Sequence, residues 1–78
     1  MGPRFLAFDL GAESGRAMAA TTRAGVLTLA EICRFPNEPV RVDGSLYWNA
    51  PRLWLDMEQA LARAADGRVR YESIGVDA

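Results

Sequence analysis

The sequence contains no histidine and no lysine, and it has a single cysteine, Cys33, in 78 residues. Each absence excludes a class of chemistry. Without lysine there is no Walker-type phosphate loop, and without histidine no Ser/His/Asp triad. One cysteine and no histidine cannot build the usual zinc sites, and Cys33 has no partner for an internal disulfide. A reduced, cytoplasmic setting is therefore expected. Long apolar runs are also missing: none approaches the ~18 residues of a membrane span. No basic stretch followed by an apolar segment and a cleavage site opens the chain, so a secretory leader is not expected. The formal net charge of −1 leaves no electrostatic footprint for nucleic acid or an anionic membrane.

What is present is a globular composition, 50% hydrophobic, in a chain long enough for one small domain at most. A domain of this size buries only roughly 60% of the surface its unfolded chain exposes. Arg4 to Leu10 reads as a strand apolar on both faces, which suits a central strand covered on both sides. Arg16 to Thr22 and Val26 to Phe35 read as second and third strands. The tight link Arg23-Ala24-Gly25 makes them an antiparallel hairpin. Pro36 and Pro39 interrupt the pattern. Val40 to Trp48 then predicts a small hairpin around Asp43-Gly44, a pair suited to a type I′ turn.

A helix is expected next, capped by Asn49, with Pro51 in its first turn and a stop at Asp66-Gly67. Leu53, Trp54, Met57, Leu61 and Ala64 recur at helical spacing and predict its apolar stripe, with Arg52, Asp56, Glu58 and Arg63 mostly off it. Ser73 to Asp77 reads as a buried strand. A helical crossover makes that strand parallel to one of the others, so the class is α/β. The helix can cover one side of a sheet only, so a strand edge and a face are expected to stay open.

The chemistry concentrates in FDLGAESGRA, Phe8 to Ala17. Asp9 ends the first strand, where a carboxylate can hold Mg²⁺, usually through water. The loop behind it, Gly11 to Gly15, is expected to offer backbone N–H groups in an anion-binding nest. Ser14 adds a hydroxyl, and Arg16 adds a guanidinium suited to phosphate oxygens. No helical pattern follows the loop at once, which separates it from the dinucleotide fingerprint.

This segment resembles the first phosphate motif of the sugar kinases that share the actin/Hsp70 fold, and more narrowly the rhamnulokinase branch of the FGGY carbohydrate kinase family. Arg34 to Asn49 (RFPNEPVRVDGSLYWN) is similar to that branch's segment after the third strand. Ser73 to Asp77 (SIGVD) is similar to the strand that continues there into Thr-Trp-Gly, although Ala78 stands where the Thr is expected. The resemblance implies a ribonuclease H-like fold, here partial: three antiparallel strands, a small hairpin, one helix and one parallel strand. Residues 1–78 would be the N-terminal part of the first kinase domain. It implies ATP and Mg²⁺ as cofactors and phosphorylation of L-rhamnulose, or a similar ketose, to the 1-phosphate. Asp9 would lie near Mg²⁺, and Gly11, Ala12, Glu13, Ser14, Gly15 and Arg16 along the ATP phosphates. Glu13 departs from the Ser or Thr common in related kinases, and its carboxylate is expected to stay off the phosphate. The family's catalytic aspartate lies downstream, so no catalytic residue is expected in this chain, which alone should be inactive.

Asp77 either helps position sugar or metal or is simply the last residue of its strand. Trp54 is expected in the core, Tyr47 and Trp48 against the small hairpin, and Cys33 buried and inert. The alternative to a kinase portion is a non-catalytic assembly module that oligomerises through an exposed strand edge. An ATP-driven switch of the same fold group is a third reading, opposed by the Arg34 to Asn49 segment. Self-association of the chain is expected on the first two readings.

Overall fold

The computed structural model describes residues 3–66 and 69–78. Its elements in chain order are β1 (Arg4–Leu10), β2 (Ser14–Arg23), β3 (Val26–Pro36), β4 (Val40–Val42), β5 (Ser45–Tyr47), α1 (Ala50–Ala64) and β6 (Ser73–Asp77). Four strands make a mixed sheet in the order β3-β2-β1-β6, and β4 and β5 make a separate ribbon. β2 lies antiparallel between β1 and β3, while β6 returns parallel to β1 after the helical crossover. The architecture is α/β, with the element order that the sequence predicts.

Local chemistry explains the joints. Ala24 and Gly25 have φ of 52° and 79°, and Asp43 and Gly44 have 49° and 79°. Positive φ at both central residues is the type I′ pattern, whose twist matches that of the flanking strands. Asn49 caps α1: its side-chain oxygen accepts the Arg52 N–H at 3.3 Å, and Pro51 sits in the first turn. At the other end the Ala65 N–H donates to the Leu61 carbonyl, and the Tyr71 hydroxyl donates to the Ala64 carbonyl at 3.1 Å. Of the expected Asp66-Gly67 stop, Gly67 lies outside the described residues. In β3 the pairing shifts between Cys33, opposite Ala17, and Glu31, opposite Met18, so Ile32 is an extra residue. Such a bulge bends its strand. Both Ile32 and Cys33 pack against the core, and Cys33 is half-buried rather than fully buried.

The core is small: Leu6, Phe8 and Ala17 from the sheet meet Ala60 and Ala64 from α1. The helix lies over β2 and β3. Ala17 faces it as a small side chain, and small residues let the backbones approach closely. That packing sets the helix rotation. The buried face is Leu53, Asp56, Ala60 and Ala64, with Met57 and Leu61 beside it. Trp54, expected in the core, is 61% exposed. Asp56, expected off the stripe, is buried, with Oδ1 3.3 Å from the Arg52 guanidinium and no partner for Oδ2 among the described residues. A carboxylate oxygen left so is destabilising. Asp56→Leu is therefore expected to raise the urea midpoint, by about 1 kcal/mol of stability. A lowered midpoint would mean that the Arg52 contact outweighs the desolvation of Asp56.

β6 is not the buried strand the pattern suggests. Ile74 and Val76 pair in register with Leu6 and Phe8, yet they are 56% and 57% exposed. They sit on the helix-side face, but α1 lies over the opposite half of the sheet. Nor is β1 covered on both sides, since Ala7, on the other face, is exposed. The outer half of the β2–β3 hairpin is likewise open, with Val26, Leu27 and Leu29 exposed. No helix among the described residues is long and apolar enough to cross a membrane.

Candidate functional site

The pairing register gathers charge at one end of the sheet. Asp9 is opposite Arg16 on β2 and opposite Asp77 on β6. Register partners share a face of the sheet, so all three lie on the face away from α1. The Arg16 guanidinium donates to Asp9 Oδ2 at 2.6 Å, and both side chains are roughly two-fifths exposed. This hydrogen bond and the carboxylate's charge raise the Arg16 pKa above its ordinary value. Asp77 adds a second carboxylate one strand away, about 4.8 Å in the pairing direction. The described residues hold no group of three or more His, Cys, Asp or Glu that could hold a metal ion. Mg²⁺ needs no such cage; one or two carboxylates with water and phosphate suffice.

The β1–β2 loop is tighter than expected. Ser14 and Gly15 are strand residues, which leaves Gly11, Ala12 and Glu13 as the turn. The Gly11 N–H is used internally, donating to the Ser14 carbonyl at 2.9 Å. No residue from Gly11 to Gly15 has positive φ, so the expected nest, which alternates right- and left-handed residues, is absent. Ala12 and Glu13 are exposed, and among the described residues no acceptor meets their N–H groups. Two backbone donors, the Ser14 hydroxyl and the Arg16 side chain are what the loop offers an anion.

Two residues that sequence reasoning did not single out hold this loop. Asn37, 7% exposed, donates through Nδ2 to the Gly11 carbonyl at 2.6 Å and through its backbone N–H to the Glu13 carbonyl at 3.0 Å. Phe35 lays its ring against Gly15, where any Cβ would overlap ring carbons. Asn37 lies 26 residues from Gly11, so no local pattern links them. The one signal is its place just after Pro36, where the chain leaves β3. Beyond the loop, Ala12 and Asn37 meet Pro39, Leu46, Tyr47 and Trp48 around an open cleft of about 230 Å³. Tyr47 and Trp48 are 55% and 58% exposed and wall this cleft instead of packing into the ribbon.

No protein-family profile matches the chain. Curated relatives do. The chain is 38% identical over 74 residues to a rhamnulokinase of Yersinia pestis, which covers 92% of the chain and 15% of that protein. It is 39% identical over 77 residues to a rhamnulokinase of Bacteroides thetaiotaomicron, covering 99% of the chain and 16% of that protein. A rhamnulokinase of Klebsiella pneumoniae matches at 39% over 74 residues. The chain thus spans about one sixth of the length of the relatives it matches, and its likeness to them runs through nearly all of it.

Proposed function

We propose that this chain, a homologue of rhamnulokinases over most of its length, is the phosphate-holding part of an ATP-dependent carbohydrate kinase. Its frame would be the N-terminal part of the first domain of a ribonuclease H-like fold. The observation that carries this reading is the convergence of Asp9, Arg16 and Asp77 beside a loop with two backbone donors that meet no acceptor among the described residues. The whole protein transfers the γ-phosphoryl group of ATP to the 1-hydroxyl of L-rhamnulose. In it, Asp9 would help hold Mg²⁺, and Asp77 would lie toward the substrate side. The N–H groups of Ala12 and Glu13, the Ser14 hydroxyl and the Arg16 guanidinium bind phosphate oxygens, while Gly11 and Gly15 keep the loop narrow. Mg²⁺, when bound, would supply charge neutralisation for the phosphates. Phosphoryl transfer rests on positioning and electrostatics, so holding the phosphates is a large share of the work.

The test is ADP release by the full-length protein with L-rhamnulose as acceptor. Release with another ketose but not with L-rhamnulose would reassign the sugar, and release with none would overturn the kinase reading. The 78-residue chain alone, with no catalytic aspartate opposite the loop, is expected to be inactive. Its exposed Ile74 and Val76 lie on the open edge strand, and Val26, Leu27 and Leu29 on the hairpin. Apolar edges of this kind favour association. Sedimentation of the isolated chain is expected to give species heavier than 8.5 kDa, and a stable folded monomer would contradict this.

A further inference from the structure

We infer that Asn37 is a positioning residue for nucleotide binding: its buried amide holds the Gly11–Glu13 turn so that the Ala12 and Glu13 N–H groups stay aimed at the phosphates. The inference rests on the phosphate-loop reading of that turn. Asn37 spans the turn, taking the carbonyl at its start through the side chain and the carbonyl at its end through the backbone. The Gly11 carbonyl belongs to the same peptide unit as the Ala12 N–H, so the side-chain tie fixes that unit. The single unit between it and the Glu13 carbonyl, which carries the Glu13 N–H, is held from both sides. The Ala12 and Glu13 N–H groups have no acceptor within the described residues, so their direction is set by the turn's own Gly11 N–H to Ser14 carbonyl bond together with this external tie. Preorganised donors bind a developing or resident anion without paying for reorganisation at the moment of contact. The tie is also long-range. It joins the turn to the segment that leads from β3 into the β4–β5 ribbon, and Asn37 lines the cleft shared by both. Asn37 itself touches no substrate in this role.

The experiment uses the full-length protein, with MgADP binding by calorimetry and steady-state kinetics for ATP and sugar. Asn37→Ala removes the side-chain tie and keeps the backbone one. The loss of one buried hydrogen bond is expected to weaken MgADP binding and raise the KM for ATP by roughly 3- to 10-fold, with the sugar KM unchanged. Asn37→Asp keeps the shape but faces the Gly11 carbonyl with a carboxylate that cannot donate at neutral pH. Once protonated, it donates an O–H in place of the amide. Its affinity relative to wild type is therefore expected to recover as the pH falls from about 7.5 towards about 4, into the ordinary carboxylate range. The charged groups nearby are Glu13 at the turn, Glu38 next in the chain and Arg52 across the adjoining recess, all exposed and common to both proteins in the ratio.

Equal MgADP affinity of wild type and Asn37→Ala, with Asp9→Ala impaired, would overturn the role of Asn37 and leave the phosphate loop standing. So would equal increases in the KM for ATP and for sugar, which a merely structural defect gives. A wild type that binds no MgADP would overturn the phosphate-loop reading and the inference with it.

Discussion

Asp9→Ala in the full-length protein is expected to lower kcat for sugar phosphorylation by on the order of 10²–10³-fold, the range for loss of one preorganised electrostatic group. The sugar KM should change little, because Asp9 lies on the phosphate side of the proposed site. Folding should survive the change. Asp9 is about two-fifths exposed at a strand end, and its partner Arg16 stays solvated when the carboxylate is gone. Circular dichroism and the thermal midpoint would check that point, so that lost activity is not lost structure. Excess Mg²⁺ should recover part of the activity if the missing carboxylate served the cation. An unchanged kcat would remove Asp9 from the site and leave its ion pair with Arg16 as a surface contact.

Gly15→Ala should destabilise the protein although the substitution normally helps. At a strand position with negative φ, alanine in place of glycine is expected to stabilise by about 0.4–1 kcal/mol through the unfolded state. Here the new Cβ falls inside the ring of Phe35, its register partner on β3. Phe35 is buried, so its ring cannot swing away cheaply, and overpacking of this kind costs about 1–3 kcal/mol. Gly15→Val should cost more. The double variant Gly15→Ala with Phe35→Leu should lose less than the sum of the two single changes, because the smaller side chain relieves the overlap. Additive losses in urea unfolding would mean that the two residues do not meet.

The strands and turns were legible because their determinants are local. Asp43-Gly44 and Ala24-Gly25 carry their turn chemistry in two residues, and Asn49 with Pro51 marks a helix start within three. The rotation of α1 was not legible. Hydrophobicity favoured Trp54, but contact with Ala17 of β2 selected Ala60 and Ala64, and Asp56 came in on the same face. The burial of β6 was misread for a related reason. Its apolar sequence is real, but which half of the sheet α1 lies over is a tertiary fact. At the site, Asp9, Arg16 and Asp77 could be named from type and position, and the register brought them together. The nest failed because Ser14 and Gly15 extend β2 and use up the loop. Asn37 and Phe35 stayed unseen because their partners are 20 or more residues away in the chain.

The pairing of Asp9 with Arg16 gives this end of the sheet a resting tenant. With no ligand, each charge is the other's counterion, while both keep contact with water. On the proposed reading, a magnesium nucleotide would bring both replacements at once: a cation for the carboxylate and anionic oxygens for the guanidinium. Binding then becomes an exchange of partners. An incoming phosphate without its metal would have to strip Arg16 from Asp9 and leave that carboxylate uncompensated. A bare metal ion would do the same to Arg16. On that reading, the site would therefore favour the complete metal–phosphate pair over either half, before any contact with a sugar is made.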